Sequence, residues 1–394
     1  MTHIVHLGTN GFPQGMAAIE RIRLLSLALL DAGCSVRVIS HKGVFSPLEA
    51  DLFPPHGQFQ GIDYDFVNDS IVRPEGFIKR NLAKILGRWQ EWRFLRSLKR
   101  KKQLDTVILS SMDLGSLLYY RILCSLLSVP LIYQLVELNS AMANRQSGST
   151  KVKDALLEKY ALKLPDAILP ISQLLTELCQ TRFAQVPLLP IPVVCEYEAF
   201  DKVKGLDHEP YFLYCGSSSY AEVVFFLIDA FARIPVVERV GHKLYLIIGG
   251  DQAGKIKIQS YIQTKGLEDQ VIMFSGLTYE DLIRHYKGAD ALLIPLRPRK
   301  QDQARFPHKI GEYLASGKPI ITTNVGEIPH YFTDEHDALV AEQYDTKAFA
   351  EKMRFVLNYP SQASMIGNNG RQLGLKHFDC YQYGSKLKAF IKSI

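Results

Sequence analysis

Three charged residues within one short stretch, Arg305, Lys309 and Glu312, have the types and the spacing that a nucleotide site requires. Lys309 lies three residues before Glu312, and residues at positions i and i+3 share one face of a helix. A helix whose first turn contains Pro307 would leave free backbone amides at its N-terminus, and such amides favour a phosphate. The stretch therefore offers cations for phosphates and a carboxylate for a ribose diol.

The residues that follow favour this nucleotide site over the alternative, a surface helix with an incidental Lys–Glu pair. A helix stop at 315–319 (ASGKP) leads directly into a predicted strand, IITT. Segment 324–329 (NVGEIP) then forms a loop with Gly and Pro at the carboxyl end of that strand. Ligands of parallel α/β sheets bind beyond the carboxyl ends of the strands, so both features indicate a ligand at that edge.

Short apolar runs alternate with longer helical segments along the chain, a pattern that predicts parallel sheets covered by helices on both faces. The pattern occurs twice, and 394 residues are enough for two domains. The predicted fold class is α/β, with two Rossmann-like doubly wound domains facing a central cleft. We expect one domain at 1–200 and a second domain, which contains the nucleotide site, at 201–380. A polar linker lies at 195–210, and helix 381–394 is placed to pack back on the first domain.

The composition excludes several classes of protein. No stretch reaches about 18 consecutive apolar residues, as a membrane-spanning helix requires. The N-terminus lacks the basic and apolar regions of a secretory signal. The six cysteines form no CxxC pair, and no His/Cys cluster has zinc spacing. We therefore expect a cytoplasmic protein with reduced thiols, which uses neither a metal nor another cofactor.

The order of these motifs resembles glycosyltransferase family 4, whose members are retaining enzymes of GT-B architecture. Residues 312–329 (EYLASGKPIITTNVGEIP) are similar to the donor-site signature of that family, and the likeness extends over almost the whole chain. The resemblance implies that Glu312 binds the donor ribose, while Lys309 and Arg305 act on the phosphates. It also implies donor contacts from Gly15, Ser275, Gly276, Leu277, Gly326, Glu327 and Ile328. Gly216 and Gly249 are further donor-binding candidates, because their loops follow predicted strands of the second half. The domain at 1–200 would then bind the acceptor, and the domain at 201–380 would bind the nucleotide-sugar.

Two features depart from the pattern of that family. Many members carry two glutamates separated by seven residues, but the first position here is Ala304, and Asp302 is out of register. Many members also carry an Arg and a Lys in the loop after the first strand of the C-terminal domain. Here that loop, 216–224 (GSSSYAEVV), has neither. The cations expected to replace them are Arg297, Arg299, Arg305 and Lys309.

A basic segment in the first half has no role in donor binding. Residues 79–102 contain ten Lys or Arg and a single acid, Glu91, with apolar residues at three- and four-residue steps. This pattern predicts a basic amphipathic helix of the kind that lies on anionic membranes. A helix whose apolar stripe packs on the sheet is the alternative, and a nucleic acid is not an expected partner. The expected membrane contacts are Lys84, Arg88, Trp89, Trp92, Arg93, Arg96, Lys99 and Arg100.

The predicted function is retaining sugar transfer from a nucleotide-sugar to a glycan or lipid-linked acceptor in cell-surface polysaccharide biosynthesis. We expect it at the inner face of the cell membrane, without a metal. Glu137, after the strand LIYQL, would accept the proton of the acceptor or hold a sugar hydroxyl, against the alternative of a loop carboxylate that caps a helix. His6 and Asn10 are further candidates. A sugar-nucleotide 2-epimerase of the same plan and a non-catalytic membrane-associated partner in polysaccharide assembly remain open.

Overall fold

The computed structural model describes residues 1–142, 145, 147–207 and 209–394. The chain divides into two compact units. Met1–Val194 and Cys380–Ile394 together form the first unit, and Cys195–Asp379 forms the second. The domain boundary expected at 200/201 and the linker expected at 195–210 fall near the start of the second unit, with His208 outside the described residues. Among the described residues, no helix combines the length and the apolar character needed to span a bilayer.

The first unit is built on one twisted sheet with helices between its strands. Its strands are β1 (His3–Leu7), β2 (Ser35–Ser40), β3 (His56–Phe59), β4 (Ile62–Phe66), β5 (Thr106–Leu109), β6 (Leu131–Leu135) and β7 (Ala167–Pro170). Its helices are α1 (Ala17–Asp31), α2 (Phe77–Arg100), α3 (Leu114–Leu127), α4 (Gly148–Tyr160) and α5 (Gln173–Arg182).

The strand order of this sheet is β3-β4-β2-β1-β5-β6-β7, and every neighbouring pair except β3–β4 is parallel. The order reverses between β1 and β5. Ile4 and Ile108 on these two strands pack with Ile22 and Leu25 of α1 in the core of the unit. Gly33 (φ +73°) ends α1 in the left-handed conformation, as the sequence predicts for a C-terminal glycine cap.

The second unit repeats this plan with its own sheet and core. Its strands are β8 (Tyr211–Ser217), β9 (Lys243–Gly249), β10 (Val271–Phe274), β11 (Ala291–Ile294), β12 (Ile320–Thr323) and β13 (Leu339–Ala341). Its helices are α6 (Tyr197–Asp201), α7 (Ala221–Arg233), α8 (Val236–Arg239), α9 (Gln252–Thr264), α10 (Tyr279–Gly288), α11 (Lys300–Ala304), α12 (Lys309–Ala315), α13 (Ile328–Tyr331), α14 (Thr346–Asn358) and α15 (Pro360–His377).

The sheet of the second unit has the order β10-β9-β8-β11-β12-β13, and all of its neighbouring strands are parallel. Leu246 and Ile248 of β9 pack with Leu227 and Phe231 of α7, which explains why both segments are almost continuously apolar. The predicted α/β class with two Rossmann-like doubly wound units is confirmed.

The last helix, α16 (Gly384–Ser393), belongs to the first unit, although it follows the second unit in the chain. Leu387 and Ile391 are buried in the core of the first unit. Gly384 allows the close approach to α1, because a Cβ at this position would overlap the Ala28 carbonyl oxygen.

Candidate active site

Strands β8 and β11 are the point at which the strand order of the second sheet reverses. The chain leaves β8 toward β9 and β10 on one side, whereas β12 and β13 lie on the other side of β11. Ligands of open parallel sheets bind outside the carboxyl ends of the strands at such a point. The segments that follow β8 and β11 are therefore the first place to look for a site.

Helix α12 is tied to the carboxyl end of β8. The Cys215 backbone N–H donates to the Tyr313 hydroxyl at 3.0 Å, and the Tyr286 hydroxyl donates to Glu312 Oε2 at 3.2 Å. Burial raises the pKa of the Cys215 thiol, and the charge of Lys309, the first residue of α12, partly opposes this rise. The structure thus brings Lys309 and Glu312 to the reversal point of the sheet.

The start of this helix differs from the prediction. Helix α12 begins at Lys309 rather than at Pro307 and has only seven residues. Its first amides are already used, since Ile310 N–H donates to the Pro307 carbonyl and Gly311 N–H donates to the His308 carbonyl, both at 3.1 Å. Two amides of the first turn are thus used within the chain, so side-chain cations are expected to make the main phosphate contacts. Phosphate binding at this helix end stays a prediction.

Arg305 is one such cation, and two neighbours fix its guanidinium. Nη1 donates to the Tyr220 hydroxyl at 2.9 Å, with the guanidinium carbon 4.9 Å from the centre of the Tyr220 ring. Nη2 lies 2.7 Å from Asp302 Oδ1. Nε is buried and has no hydrogen-bond partner within the described parts of the chain. A guanidinium held in this way keeps a donor available without having to be ordered when a ligand binds.

Arg297 and Arg299, the other expected phosphate cations, form ion pairs inside the unit. Arg297 Nε donates to Asp302 Oδ2 at 2.7 Å, and its Nη1 pairs with Glu222. Arg299 lies 2.9 Å from the same Glu222 carboxylate. The Arg297 side chain is only 5% exposed, so we withdraw its assignment to a donor phosphate. Arg299 remains 57% exposed.

Asp302 links the two arginines that flank it. Burial alone would raise its pKa, but Arg297 and Arg305 hold the pKa of Asp302 below its ordinary value. Ala304, at the position of the glutamate missing from the family pattern, is completely buried. Sequence reasoning missed the roles of Asp302 and Tyr220 as supports of Arg305. The alternation of charges at 297, 302 and 305 was the signal that could have indicated the ion pairs.

The remaining predicted donor residues of the second unit lie along the same edge of its sheet. Gly216 and Gly249 end β8 and β9, whereas Ser275, Gly276 and Leu277 follow β10. Gly326, Glu327 and Ile328 follow β12. Gly326 has φ +64° and packs against the Asp302 carbonyl. The side chains of Glu327 and Ile328 are buried, so this loop would offer backbone groups to a donor, as predicted.

The candidates in the first unit lie at the carboxyl edge of the other sheet. Gly15 is exposed in the loop between β1 and α1, and Glu137 is half-buried after β6. His6 is fully buried in β1, and burial lowers its pKa to about 3, so it is a neutral residue of the core. Asn10 is half-buried in the loop that contains Gly15.

Helix α2 does not carry the single apolar stripe that was predicted. Leu95 and Leu98 face the core, but the apolar residues of the first half face outward. The helix therefore has an inward apolar face at its end and an outward apolar face at its start. We call the second of these the outward face of α2. It consists of Ile78 (80% exposed), Leu82 (54%), Ile85 (68%), Leu86 (49%) and Trp89 (51%).

The exposed part of α2 contains no acid. Glu91, the single acid of the segment, is fully buried and accepts from the Tyr120 hydroxyl at 3.1 Å through both oxygens. Burial raises its pKa to about 8. Of the predicted membrane contacts, five are exposed and three are half-buried. The exposed ones are Lys84, Trp89, Arg93, Arg96 and Arg100, and the half-buried ones are Arg88, Trp92 and Lys99.

Three arginines of α2 lie against aromatic rings, so part of their charge is oriented along the helix surface. Arg93 lies 4.7 Å from the Trp89 ring centre, and Arg96 lies 5.5 Å from that of Trp92. Arg88 lies over Tyr119 and donates to the Ser116 hydroxyl. Such cation–ring pairs keep the aromatic side chains and the charges together at one surface. In the described residues, no group of three or more His, Cys, Asp or Glu side chains is placed to hold a metal.

Comparison with protein families finds one match, and it lies in the second unit. Residues 196–373 match the family described as "Glycosyl transferases group 1". We call this segment, which is similar to that family, the group 1 domain. The match lies inside the second unit and includes Lys309, Glu312 and the other donor residues predicted there. The prediction of a glycosyltransferase is confirmed by this domain, whereas assignment to family 4 stays a prediction.

Solved structures of similar fold extend beyond the group 1 domain to the whole chain. Sucrose-phosphate synthase (tll1590) from Thermosynechococcus elongatus has a TM-score of 0.78 at 18% identity, with full coverage of both chains. Anabaena Alr3699/HepE, solved with UDP-glucose, has a TM-score of 0.71 at 14% identity, also with full coverage of both. WaaG, a glycosyltransferase involved in lipopolysaccharide biosynthesis, has a TM-score of 0.65 at 16% identity, covering 98% of this chain and 99% of its own. The predicted GT-B fold is thereby confirmed, and no curated protein sequence matches the chain.

Proposed function

We propose that this protein transfers a sugar from a nucleoside-diphosphate sugar to a glycan or lipid-linked acceptor in cell-surface polysaccharide biosynthesis. The transfer retains the anomeric configuration, requires no metal, and takes place at the cytoplasmic face of an anionic membrane. The placement of Lys309 and Glu312 at the reversal point of the second sheet, inside the group 1 domain, carries the proposal.

Each charged residue of this site has a defined task in the proposed reaction. Glu312, oriented by the Tyr286 hydroxyl, accepts hydrogen bonds from the ribose diol. Lys309 and Arg305 stabilise the departing diphosphate. A contact between unit charges near 4 Å contributes about 4 kcal/mol at an effective dielectric constant of about 20, so two cations can replace a metal ion. Asp302 and Tyr220 fix Arg305 before the donor arrives.

The bond changes follow from retention. The acceptor oxygen attacks the anomeric carbon from the face that the diphosphate leaves, and the proton of the acceptor passes to a phosphate oxygen of the leaving group. Negative charge develops on the diphosphate as its bond to the sugar breaks, and the cations act on that charge. Glu137 orients the acceptor hydroxyl in this proposal. Binding of both substrates in fixed positions makes the attack effectively unimolecular.

Known proteins of similar fold guide the choice of substrates. HepE has been solved with UDP-glucose and also with UDP and glucose, so UDP-sugars are the first donors to test. WaaG is involved in lipopolysaccharide biosynthesis, and WaaB is a lipopolysaccharide outer core galactosyltransferase, so a lipid-linked saccharide is the first acceptor to test.

The outward face of α2 supports the membrane part of the proposal. It exposes a row of large apolar side chains next to cations, and the single acid of the helix is withdrawn into the core. Apolar side chains enter the boundary between headgroups and acyl chains, while each Lys or Arg near an anionic surface adds about 1 kcal/mol.

The test is a transfer assay on the full chain with UDP-, GDP- and dTDP-sugars and a lipid-linked acceptor fraction. We expect release of nucleoside diphosphate only when the acceptor is present. Lys309→Ala and Glu312→Ala should each lower turnover about 100-fold or more, because each removes a group that stabilises the transition state or orients the donor. Lys347→Ala, which removes an exposed lysine elsewhere in the same unit, is the matched control.

Other outcomes of that assay would contradict the proposal in different ways. Wild-type turnover in both site variants would remove the donor-site assignment. A changed sugar without an acceptor would indicate an epimerase. Binding of nucleoside diphosphate with no transfer or hydrolysis for any donor would indicate a non-catalytic partner of polysaccharide assembly.

A further inference from the structure

A cavity of about 380 Å³ in the first unit contains cations that the donor site does not use. It opens where β2 ends and α2 begins. Its ionisable lining side chains are all cations: Lys42, Arg73, Arg80 and Lys84. No carboxylate in the described residues forms an ion pair with any of the four. A concave site with four like charges and no opposite charge attracts an anion.

The backbone holds the walls of this cavity in place. Val44 N–H donates to the Ile71 carbonyl at 2.9 Å, and Arg73 N–H donates to the Phe45 carbonyl at 2.8 Å, which joins the segment after β2 to the segment before α2. Gly87 lets α2 approach the end of β2, because a Cβ there would overlap the His41 carbonyl oxygen. The cations therefore converge through the fold and not through chance side-chain conformations.

The cations around this cavity repel one another, as the pKa values of two residues show. Burial lowers the pKa of Lys42, and Lys84, Arg88 and Arg73 lower it further. Burial, together with the nearby cations Lys42, Arg88 and Lys84, lowers the pKa of His41 to about 3. This histidine is therefore neutral and adds no charge to the cavity. Repulsion among cations that the fold keeps together costs stability unless a ligand offsets it.

The position of the cavity indicates which kind of molecule carries the anion. The segment after β2 lies at the carboxyl edge of the first sheet, next to the loop after β1, where Gly11 N–H donates to the Ser40 hydroxyl at 3.3 Å. The cavity also adjoins the outward face of α2, since Phe77, at 79% exposure, lines its mouth at the start of that helix. One side of the opening is thus the ligand edge of the sheet, and the other is an apolar surface suited to lipid.

We propose that this cavity binds the phosphate or diphosphate group that joins a membrane-borne acceptor to its lipid. The binding itself rests on the cavity, whereas the role of the ligand as acceptor rests on the proposed function. Phosphate oxygens take the place of the missing carboxylates among Lys42, Arg73, Arg80 and Lys84, and the lipid chain extends along Ile78, Leu82 and Ile85. Cations at phosphate groups form the stronger, charge-assisted class of hydrogen bond.

The experiment compares vesicles of equal surface potential that contain either geranylgeranyl diphosphate or phosphatidylglycerol. Binding is followed by sedimentation and by the emission of Trp89 and Trp92, the two tryptophans of the chain. We expect the wild type to bind the diphosphate vesicles at least tenfold more tightly. The double variant Lys42→Gln with Arg73→Gln should lose that preference, while Arg100→Gln with Lys101→Gln should weaken binding to both vesicles by the same factor.

A second measurement separates lipid from free anion. Calorimetry with inorganic pyrophosphate is performed on the wild type, on the cavity variant, and on Lys309→Ala, which reports any binding in the second unit. Pyrophosphate binding that depends on Lys42 and Arg73, without a vesicle preference, would overturn the lipid-borne ligand. Equal vesicle binding by the cavity and control variants, with unchanged calorimetry, would overturn the site altogether. Sugar transfer is assayed separately, so failure of the cavity and failure of the transferase are distinguishable.

Discussion

The arginines near the donor site and the cations of the cavity differ in whether a carboxylate binds them. In the second unit, Arg297, Arg299 and Arg305 are each bound by a carboxylate, and Asp302 is buried between two of them. In the first unit, the cations around the cavity have no carboxylate partner in the described part of the chain. Paired cations keep their geometry without a ligand and present a modest excess of charge. Unpaired cations present more charge but raise the energy of the empty protein.

This difference suits the two ligands that we propose. A donor that binds and leaves in every cycle benefits from a site that is already arranged, because less reorganisation accompanies each turnover. A membrane offers its anions at high local density, so a site there can rely on the surface to offset its own repulsion. The predictions below test each side of the comparison, from the largest expected effect to the smallest.

The first prediction concerns Asp302, the carboxylate that binds both Arg297 and Arg305. Asp302→Asn should lower the free energy of unfolding by about 3–5 kcal/mol, because it leaves Arg297 buried without its main partner. Sugar transfer should fall as well, since Arg305 loses its support. Urea denaturation and the transfer assay measure the two effects. Glu280→Gln breaks an exposed pair with Arg284 and should cost less than about 1 kcal/mol; equal losses in both variants would show that burial of the network contributes nothing.

The second prediction concerns Glu91, the one carboxylate that might have neutralised the cations of α2. Its pKa is raised from 4.5 to about 8, so its contribution to stability is full below 4.5 and is lost as the pH rises through about 8. In that window the wild type should lose up to about 1.4 kcal/mol per pH unit relative to Glu91→Gln. Urea denaturation at several pH values between 4.5 and 8 measures this loss. Parallel pH profiles would mean that Glu91 is ionised and pairs with Arg88.

The third prediction tests whether the outward face of α2, next to the cations of the cavity, binds a lipid surface. Leu82→Ser with Ile85→Ser should weaken binding to anionic vesicles by about 10-fold or more, because each buried aliphatic side chain contributes about 1.5–3 kcal/mol. Trp89 remains as the fluorescent reporter. Ile256→Ser, at an exposed position in the second unit, is the control and should bind normally. Unchanged binding by the double variant would limit the contact to electrostatics.

The fourth prediction tests the repulsion itself. Lys42→Met should raise the free energy of unfolding of the free protein by about 0.2–0.5 kcal/mol at low salt, because it removes a like charge from the cluster. The gain should shrink at high salt, where the Debye length is short. Lys101→Met, an exposed change at the far end of α2, should have no such effect. A destabilised Lys42→Met protein would show that Lys42 has a favourable partner.

Much of the fold could be predicted because apolar runs of strand and helix length alternate along the chain. Strands β6 (LIYQL) and β12 (IITT) were predicted this way. The antiparallel hairpin of β3 and β4 was not, because β3 is exposed along its whole length and has no apolar alternation. Its turn, Gln60–Gly61, has positive φ at both residues. Asn-Gly and Asp-Gly favour this conformation strongly, whereas Gln-Gly does not.

The candidate site was predictable in its residues but not in its pairings. Lys309 and Glu312 could be placed on one face of a helix because they are three residues apart, and this local spacing is visible in the sequence. The pair of Arg297 with Asp302 is local, but Arg297 also binds Glu222, 75 residues away in the chain, and no local pattern encodes that second contact. The same holds for α2, where the sequence shows an apolar stripe but not which part of it the sheet covers. Long-range contacts decide both questions.

The return of α16 to the first unit has a consequence for how the protein is made. Ribosomes synthesise a chain from its N-terminus at about 5–20 residues per second, and domains generally fold as they emerge. The core around α1 lacks Leu387 and Ile391 until the last helix has been synthesised, whereas the second unit, Cys195–Asp379, is contiguous and complete earlier. The group 1 domain can therefore finish folding first. The first unit keeps part of its apolar surface uncovered until α16 has been synthesised.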